Sequence, residues 1–330
     1  MTDAQIQAEL DALATEARLP AAADLDRLPT RRQVALLAQQ DAVAVAAVAA
    51  AGDQIAVVVD AIADRLRTGG RLVYVGAGTS GWLALLDAAE CGPTFGVADG
   101  RVVALVAGGA GATRDAIASA EDDADAARRD INAHRISAAD AVVGLSASGR
   151  TPYVLAAVAH ARTIGALTVG VANNAGSALT RVVDLAIEVL TGAEVVSGST
   201  RLKAGTAQEL VLNAISTLAM VQLGHTYADL MIDVQATNAK LRRRAERIVA
   251  AATGADHHEV TAALDEAGGV TKVAVVSLLA GVDAQEAARQ LHRTAGHARA
   301  AVEGCGRAAG SRGAGAAEAY GPGQESDHAR

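Results

Sequence analysis

The sequence predicts an α/β fold: a doubly wound parallel five-stranded sheet with helices on both faces, plus a small C-terminal helical domain. Two observations predict it. Between residues 71 and 192, short and nearly continuous apolar runs alternate with longer stretches of helical spacing. That is the texture of strands buried on both faces by crossover helices. Beyond residue 243 the pattern changes to short helical blocks, each closed by glycine, a common helix stop.

The elements follow in order. Residues 1 to about 69 scatter polar and charged positions among Ala, Leu and Val, with almost no turn residues after Pro29, and read as helical. RLVYVGAG (71–78) is the first strand, followed by the helix-like TSGWLALLDAAE. RVVALVAGG (101–109) is the second, and ATRDAIASAEDDADAARRDI continues it with helical spacing. DAVVGLSASG (140–149) leads into TPYVLAAVAHARTIG, and ALTVGVANN (166–174) and LAIEVLTG (185–192) complete the strands. AGTAQELVLNAISTLAMVQLG (204–224) reads as a long, mostly buried helix. ADHHEVTAALDEAGG, TKVAVVSLLAG and DAQEAARQLHRTAG then give three short helices. The expected division is an N-terminal helical segment 1–54, a sheet domain 55–242, a three-helix domain 243–302 and a tail 303–330. The tail is rich in Gly, Ala and charge, a composition expected to be disordered.

Composition excludes several functions. The net charge of −8 argues against a surface that holds a nucleic-acid backbone. One Trp, four Tyr and one Phe leave little for base stacking. Cys91 and Cys305 make no disulfide framework, which suits a reducing, cytoplasmic location. The acidic start MTDAQIQAELDALATEARLP lacks the basic residues and apolar run of a signal peptide. The Ala/Val-rich stretch from Ala42 to Val59 is broken by Gly52, Asp53 and Gln54, so no membrane span is expected.

The turn Gly76-Ala77-Gly78-Thr79-Ser80-Gly81 matches the G-x-G-x-x-G dinucleotide fingerprint literally. That reading also needs an acidic residue ending the second strand, to hold a ribose hydroxyl. The strand ends Val106-Ala107-Gly108-Gly109 instead, so the match is a weak NAD signal and no cofactor is expected; an NAD-dependent dehydrogenase stays as a further reading that a lack of nicotinamide binding would remove. The third strand ends in a second hydroxyl-rich turn, Ser146-Ala147-Ser148-Gly149-Arg150-Thr151-Pro152. Both turns fall at the carboxyl edge of the sheet, where α/β folds bind ligands. Gly78, Thr79, Ser80, Ser146, Ser148, Gly149 and Thr151 thus form a candidate site for a phosphomonoester at two helix N-termini. Helix capping is the alternative reading of Thr79, Ser80 and Thr151. It accounts for one hydroxyl per helix, but not for their density.

The two turns resemble those of the sugar isomerase (SIS) fold, whose members bind phosphosugars. Longer segments carry a closer resemblance: GAGTSGWLALLDAAECGPTFG, SASGRTPYV, GAEVVSGSTRLKAGTAQELVLN and MIDVQATNAKL. Together they resemble the N-acetylmuramic acid 6-phosphate etherase family, related to the glucokinase regulatory protein. The resemblance implies a cytoplasmic, cofactor-free lyase of cell-wall sugar recycling, with residues 55–242 as an SIS domain. Its reaction is cleavage of a D-lactyl ether to N-acetylglucosamine 6-phosphate and D-lactate. The chain departs from the family pattern at Trp82, Ala84, Ala89 and Gly92, where Arg, Gly, Ser and Pro are usual. An alternative of another class is a non-catalytic phosphosugar-sensing module.

Such an ether does not hydrolyse directly, because lactate leaves poorly from an unactivated carbon. Ring opening exposes an aldehyde that acidifies the carbon 2 proton, so elimination followed by water addition is feasible. The route needs an acid and a base, each contributing about 10²–10⁴-fold. The resemblance places these on Glu90, the proton donor to lactate, and on Glu121, the second acid/base residue. Residue reading alone takes Glu121 for a solvated helix face among Asp122, Asp123 and Asp125. Glu90 is more suggestive, because it interrupts an Ala/Leu-rich segment. Lys203, with Arg201, is a candidate to neutralise the phosphate or the lactyl carboxylate, against a plain salt-bridge role. Cys91 reads as structural, and His257, His258, His292 and His297 lack metal-ligand spacing, so no metal is expected.

If the first helix runs unbroken from Ser80, Glu90 lies about 15 Å from the phosphate loop, at 1.5 Å per residue. Either the helices break early, as Gly92-Pro93 and the acidic run permit, or a glutamate serves a neighbouring subunit. The second option predicts a homodimer, with helix 204–224 as a contact surface.

Overall fold

In the computed structural model, which describes residues 13–109, 120–234 and 239–305, the five expected strands form one parallel sheet. They are β1 (Leu72–Gly76), β2 (Val102–Val106), β3 (Ala141–Leu145), β4 (Leu167–Ala172) and β5 (Leu185–Glu188), in the order β2-β1-β3-β4-β5. β1 and β3 are buried along their whole length, whereas β2 and β5 at the edges are partly exposed. The apolar runs are continuous for this reason: both faces of the inner strands meet side chains. Val73, Val75, Val142, Tyr153, Val154, Val158 and Leu179 make up much of one such layer.

The chain leaves β1 for the edge strand β2 and returns to the other side of β1 as β3. That reversal opens a crevice beyond the carboxyl ends of β1 and β3. The register pairs Gly76 with Leu145, so the two hydroxyl-rich turns leave from paired positions, about 4.8 Å apart.

α1 (Thr30–Ala50) and α2 (Gly52–Arg67) precede the sheet, and α3 (Gly78–Phe95) starts at once after β1. The fingerprint glycines serve close packing here. A Cβ on Gly76 would lie 2.7 Å from the Gly81 nitrogen, and one on Gly81 would lie 2.7 Å from Val106 Cγ1. Helix α3 passes through Pro93 to Phe95, so it does not break before Glu90. The acidic run does break. Glu121 and Asp122 form a turn, and α4 begins only at Ala124 and ends at Ala133. The continuous helix expected there is corrected by Asp123, whose carboxylate accepts the Ala126 N–H at 2.7 Å and caps α4. Residues 110–119 of that expected helix lie outside the described residues.

α5 (Pro152–Ile164), the short α6 (Ala178–Val182) and α7 (Lys203–Gln222) complete the crossovers. Among the described residues, α1 alone is long and apolar enough to cross a bilayer by length and composition. Arg31 and Arg32 in its first turn, and Asp41 near its middle, are costly in hydrocarbon.

The fold separates into two compact units. One holds the sheet, with residues up to Gly92 and Ala98–Ala219; the other takes Pro93–Val97 and the described residues from Met220 onward. The second unit contains a hairpin, β6 (Thr226–Tyr227) and β7 (Leu230–Met231), and the helices α8 (Ala239–Thr253), α9 (His257–Glu266), α10 (Thr271–Ala280), α11 (Ala284–Arg293) and α12 (Ala298–Gly304). α10 is apolar nearly all round and is buried among its neighbours, with Ala274, Val275 and Val276 fully enclosed. Of the expected tail, residues from 306 lie outside the described residues.

At the sheet end opposite the crevice, Asp140 fastens β3 to β1. Its carboxylate accepts from the Arg71 backbone N–H (2.9 Å), Arg71 Nε (3.1 Å) and Nη2 (2.8 Å), and the Ser137 N–H (2.9 Å). Burial alone would raise its pKa, but these donors together hold it below the usual aspartate range. A depressed carboxyl contributes stability above its unfolded pKa, near 3.9, and loses it as pH falls through the folded value. Asp140→Asn is therefore expected to cost about 2 kcal/mol at pH 7 in denaturant unfolding. The difference from wild type should shrink as pH falls below the ordinary aspartate range.

Candidate active site

The second turn is held by its own hydroxyls. Ser146 Oγ accepts the Gly149 N–H at 3.0 Å and lies 2.8 Å from Thr151 Oγ1 and 3.3 Å from Ser148 Oγ. Ser148 Oγ accepts the Arg150 N–H at 3.2 Å. Gly149 turns the chain with φ +68°, and a Cβ there would lie 2.2 Å from Ser177 Oγ. Thr151 is the residue before α5, yet its side chain makes no capping bond. Its hydroxyl faces Ser146 and donates at 3.5 Å to Glu121 Oε1. Capping therefore does not explain Thr151.

Glu121 is tied to this turn twice. Besides the Thr151 contact, its carbonyl accepts the Tyr153 N–H at 3.0 Å, which satisfies an otherwise unpaired donor in the first turn of α5. The residue as a whole is exposed, but its carboxyl end lies against protein. Desolvation, reinforced by the neighbouring Asp122, raises its pKa, and the Thr151 hydroxyl opposes this weakly. A glutamate raised in this way holds a proton more readily than an exposed one, which suits acid/base work.

The first turn enters α3 at Gly78, with φ +53°. The Gly81 N–H bonds the Ala77 carbonyl at 3.2 Å. Helix geometry leaves the N–H groups of Gly78, Thr79 and Ser80 without intrahelical acceptors, free to face an anion. Thr79 is exposed, and Ser80 is buried. The Ser80 hydroxyl donates to Gln208 Oε1 at 2.7 Å, Gln208 Nε2 donates to Asn173 Oδ1 at 3.2 Å, and Asn173 Nδ2 donates to the Val189 carbonyl at 3.0 Å. A carbonyl can only accept, so the direction of the whole chain is set and the Ser80 proton is committed to Gln208.

Lys203 opens α7 and is buried, and its Nζ donates to Gln40 Oε1 at 2.6 Å. Glu194, also buried, accepts the Lys203 and Ala204 N–H groups at 3.3 and 2.9 Å and caps α7. Burial lowers the pKa of the Lys203 ammonium, with Glu194 opposing, and raises that of Glu194. The start of α7 lies against the first turn, since a Cβ on Gly205 would sit 3.4 Å from Thr79 Cγ2. Glu90 is exposed on α3, twelve residues past Gly78, or about 18 Å along the helix. The structure thus joins Glu121 to the second turn, but brings neither Glu90 nor the Lys203 ammonium to it.

Residues 54–162 match the model of the glucokinase regulatory protein N-terminal SIS domain, and residues 116–218 match that of the SIS domain. The N-acetylmuramic acid 6-phosphate etherase of Rubrobacter xylanophilus is 56% identical over 293 residues, covering 89% of this chain and 97% of that protein. Those of Streptomyces avermitilis and Serratia proteamaculans are 52% and 49% identical, covering 90% and 89% of this chain and 96% and 99% of theirs. The chain belongs to the N-acetylmuramic acid 6-phosphate etherase family. Its sheet unit is an SIS domain, and the resemblance read from the sequence is borne out.

Sequence reasoning missed the hydrogen bonds by which Gln208, Asn173 and Glu194 brace the starts of α3 and α7. They are 128, 93 and 114 residues from Ser80 in the chain, and no spacing rule links them. A buried polar residue in an apolar helix was the available signal, and Gln208 in α7 provides it. Among the positions that depart from the family pattern, Ala84 is fully buried and Trp82 is exposed with Leu86 on α3. Cys91 is buried, and desolvation pushes its thiol up to about 12, which fits a structural residue and not a nucleophile.

Gly149 carries the most direct test of this geometry. Ala at a positive φ costs about 1–2 kcal/mol before any clash, and here the added methyl would also meet Ser177. Gly149→Ala should lower the melting temperature by several degrees and weaken phosphosugar binding at least tenfold by calorimetry.

Proposed function

We propose that this chain binds N-acetylmuramic acid 6-phosphate through its two hydroxyl-rich turns and cleaves the D-lactyl ether by elimination and water addition. The family assigns the class, a carbon–oxygen lyase of amino sugar recycling. The observation that carries the mechanism is the tether of Glu121, a carboxyl with a raised pKa, into the Ser146–Thr151 turn.

In this reading, the N–H groups of Gly78, Thr79 and Ser80 and the hydroxyls of Thr79, Ser146 and Ser148 hold the phosphate, while Gly149 shapes the second turn and Thr151 links it to Glu121. Ser80 contributes its backbone more than its hydroxyl, whose proton Gln208 takes. Lys203 contributes by seating α7 beside Thr79. With the sugar ring open, Glu121 takes the carbon 2 proton and an enolate forms. The enolate electrons expel lactate from carbon 3 as Glu90 protonates the departing oxygen. Water then adds at carbon 3 of the unsaturated aldehyde, and carbon 2 is reprotonated. The sum is substrate plus water giving N-acetylglucosamine 6-phosphate plus D-lactate. The route itself requires neither a metal nor an organic cofactor.

Glu90 meets the substrate across a homodimer in this reading, because about 18 Å of unbroken helix separates it from its own phosphate turn. A cytoplasmic location fits the substrate of a recycling enzyme.

Purified protein incubated with N-acetylmuramic acid 6-phosphate should release free D-lactate, unaffected by chelators. Binding without release at high enzyme concentration would favour a phosphosugar sensor instead. The base must be ionised, so kcat/KM should rise with pH through a value above the ordinary glutamate range, near 4.3. Glu121→Gln should abolish that limb together with carbon 2 proton exchange. Glu90→Gln should stop lactate departure and leave exchange in place.

Two inactive chains test the shared site. Mixing equal amounts of Glu90→Gln protein and a Ser146→Ala/Ser148→Ala variant should recover about a quarter of wild-type activity if subunits pair at random and each heterodimer carries one intact site. No recovery, with heterodimers demonstrated by mass, would place Glu90 in its own subunit's site.

A further inference from the structure

The second unit contains a cleft of about 880 Å³ between α8 and the β7 hairpin. Lys240, Arg243, Arg244 and Arg247 line it, at the i, i+3, i+4, i+7 spacing that puts residues on one helix face. Its floor is aliphatic, with Leu230, Met231, Ile248 and Ala251, and Asp229 stands at its rim. Among the described residues, none of the four cations has a carboxylate within ion-pair distance, although Arg67, Arg71, Arg128, Arg129, Arg162 and Arg289 all do. In a chain of net charge −8, an unneutralised run of this kind in a concave site points to an anionic ligand.

The dimensions narrow the chemistry. Seven residues of helix space the cations over about 10 Å, the reach of several linked phosphates and more than one phosphomonoester needs. The volume lies in the range of small-molecule sites, and the floor is apolar where a sugar would need hydrogen-bonding groups. A flat base on Leu230 and Met231, phosphates on the guanidinium forks and a hydroxyl donating to Asp229 would satisfy the whole lining. We propose that this cleft is a binding site for a nucleoside polyphosphate, distinct from the phosphosugar turns.

The test is calorimetric titration of the full chain with ATP, with adenosine and inorganic triphosphate as partial probes. ATP should bind with a dissociation constant below about 100 μM, and at least tenfold more tightly than either part. Arg243→Ala/Arg247→Ala, shown to be folded by circular dichroism, should weaken ATP at least tenfold. Met231→Glu should weaken ATP more than triphosphate, and Ser148→Ala should leave ATP binding unchanged. The inference is overturned by the absence of saturable binding at 1 mM, by triphosphate matching ATP, or by an unaltered affinity in the double variant. Loss of ATP binding in Ser148→Ala would put the nucleotide in the phosphosugar turns and also overturn it. So would binding only to vesicles of anionic lipid. None of these readouts depends on lactate release, so the outcome stands apart from the proposed reaction.

Discussion

The pairing of β1 with β3 is the constraint on which the rest of the molecule depends. The register that sets Gly76 beside Leu145 fixes where both hydroxyl-rich turns begin. At the far end of the same two strands, Asp140 takes five donors from Arg71 and Ser137 and resists any slip. In a parallel sheet buried on both faces, a one-residue shift would mismatch every layer of side chains. A buried ion pair is a poor source of net stability, but a good device for specifying one arrangement. Its position here, away from the crevice, leaves the ligand end of the strands to the turns themselves.

Those turns are built differently, and the difference bears on chemistry. The first is braced from outside, by Gln208 and Asn173 reaching the Val189 carbonyl. Its anion-binding capacity rests on backbone N–H groups at the start of α3. The second is braced by its own hydroxyls, and Thr151 extends that network to Glu121. In the proposed reaction, phosphate recognition and an acid/base group therefore share one hydrogen-bonded unit. Glu90 stands apart from it on an unbroken helix, so the two carboxyls have different surroundings. Such a division suits a reaction in which one group takes a proton and the other gives one.

The two units differ in electrostatic character as well. In the sheet unit, the buried carboxylate of Glu194 is held by two backbone N–H groups at the start of α7. In the helical unit, α8 presents four cations to an open cleft with Asp229 at its rim, and among the described residues none of the four is in an ion pair. Folding alone does not call for that arrangement, because exposed like charges on adjacent turns repel one another by a few tenths of a kcal/mol per pair.

The sequence by itself determined the sheet, the two turns and the family. Strand runs are local signals, and glycines and hydroxyls at a strand end carry their meaning within six or seven residues. It also weakened the dinucleotide reading of G-x-G-x-x-G, since the missing carboxylate after Val106 is visible in one dimension. Only the tertiary structure decided the rest. Asp123 ended a helix that spacing alone would have continued, because one side-chain acceptor outcompeted helical propensity. Lys203 turned to Gln40, and Ser80 to Gln208, over separations of 163 and 128 residues. Such partners are chosen by which buried polar atoms must be satisfied once the layers close, a condition that exists only in three dimensions.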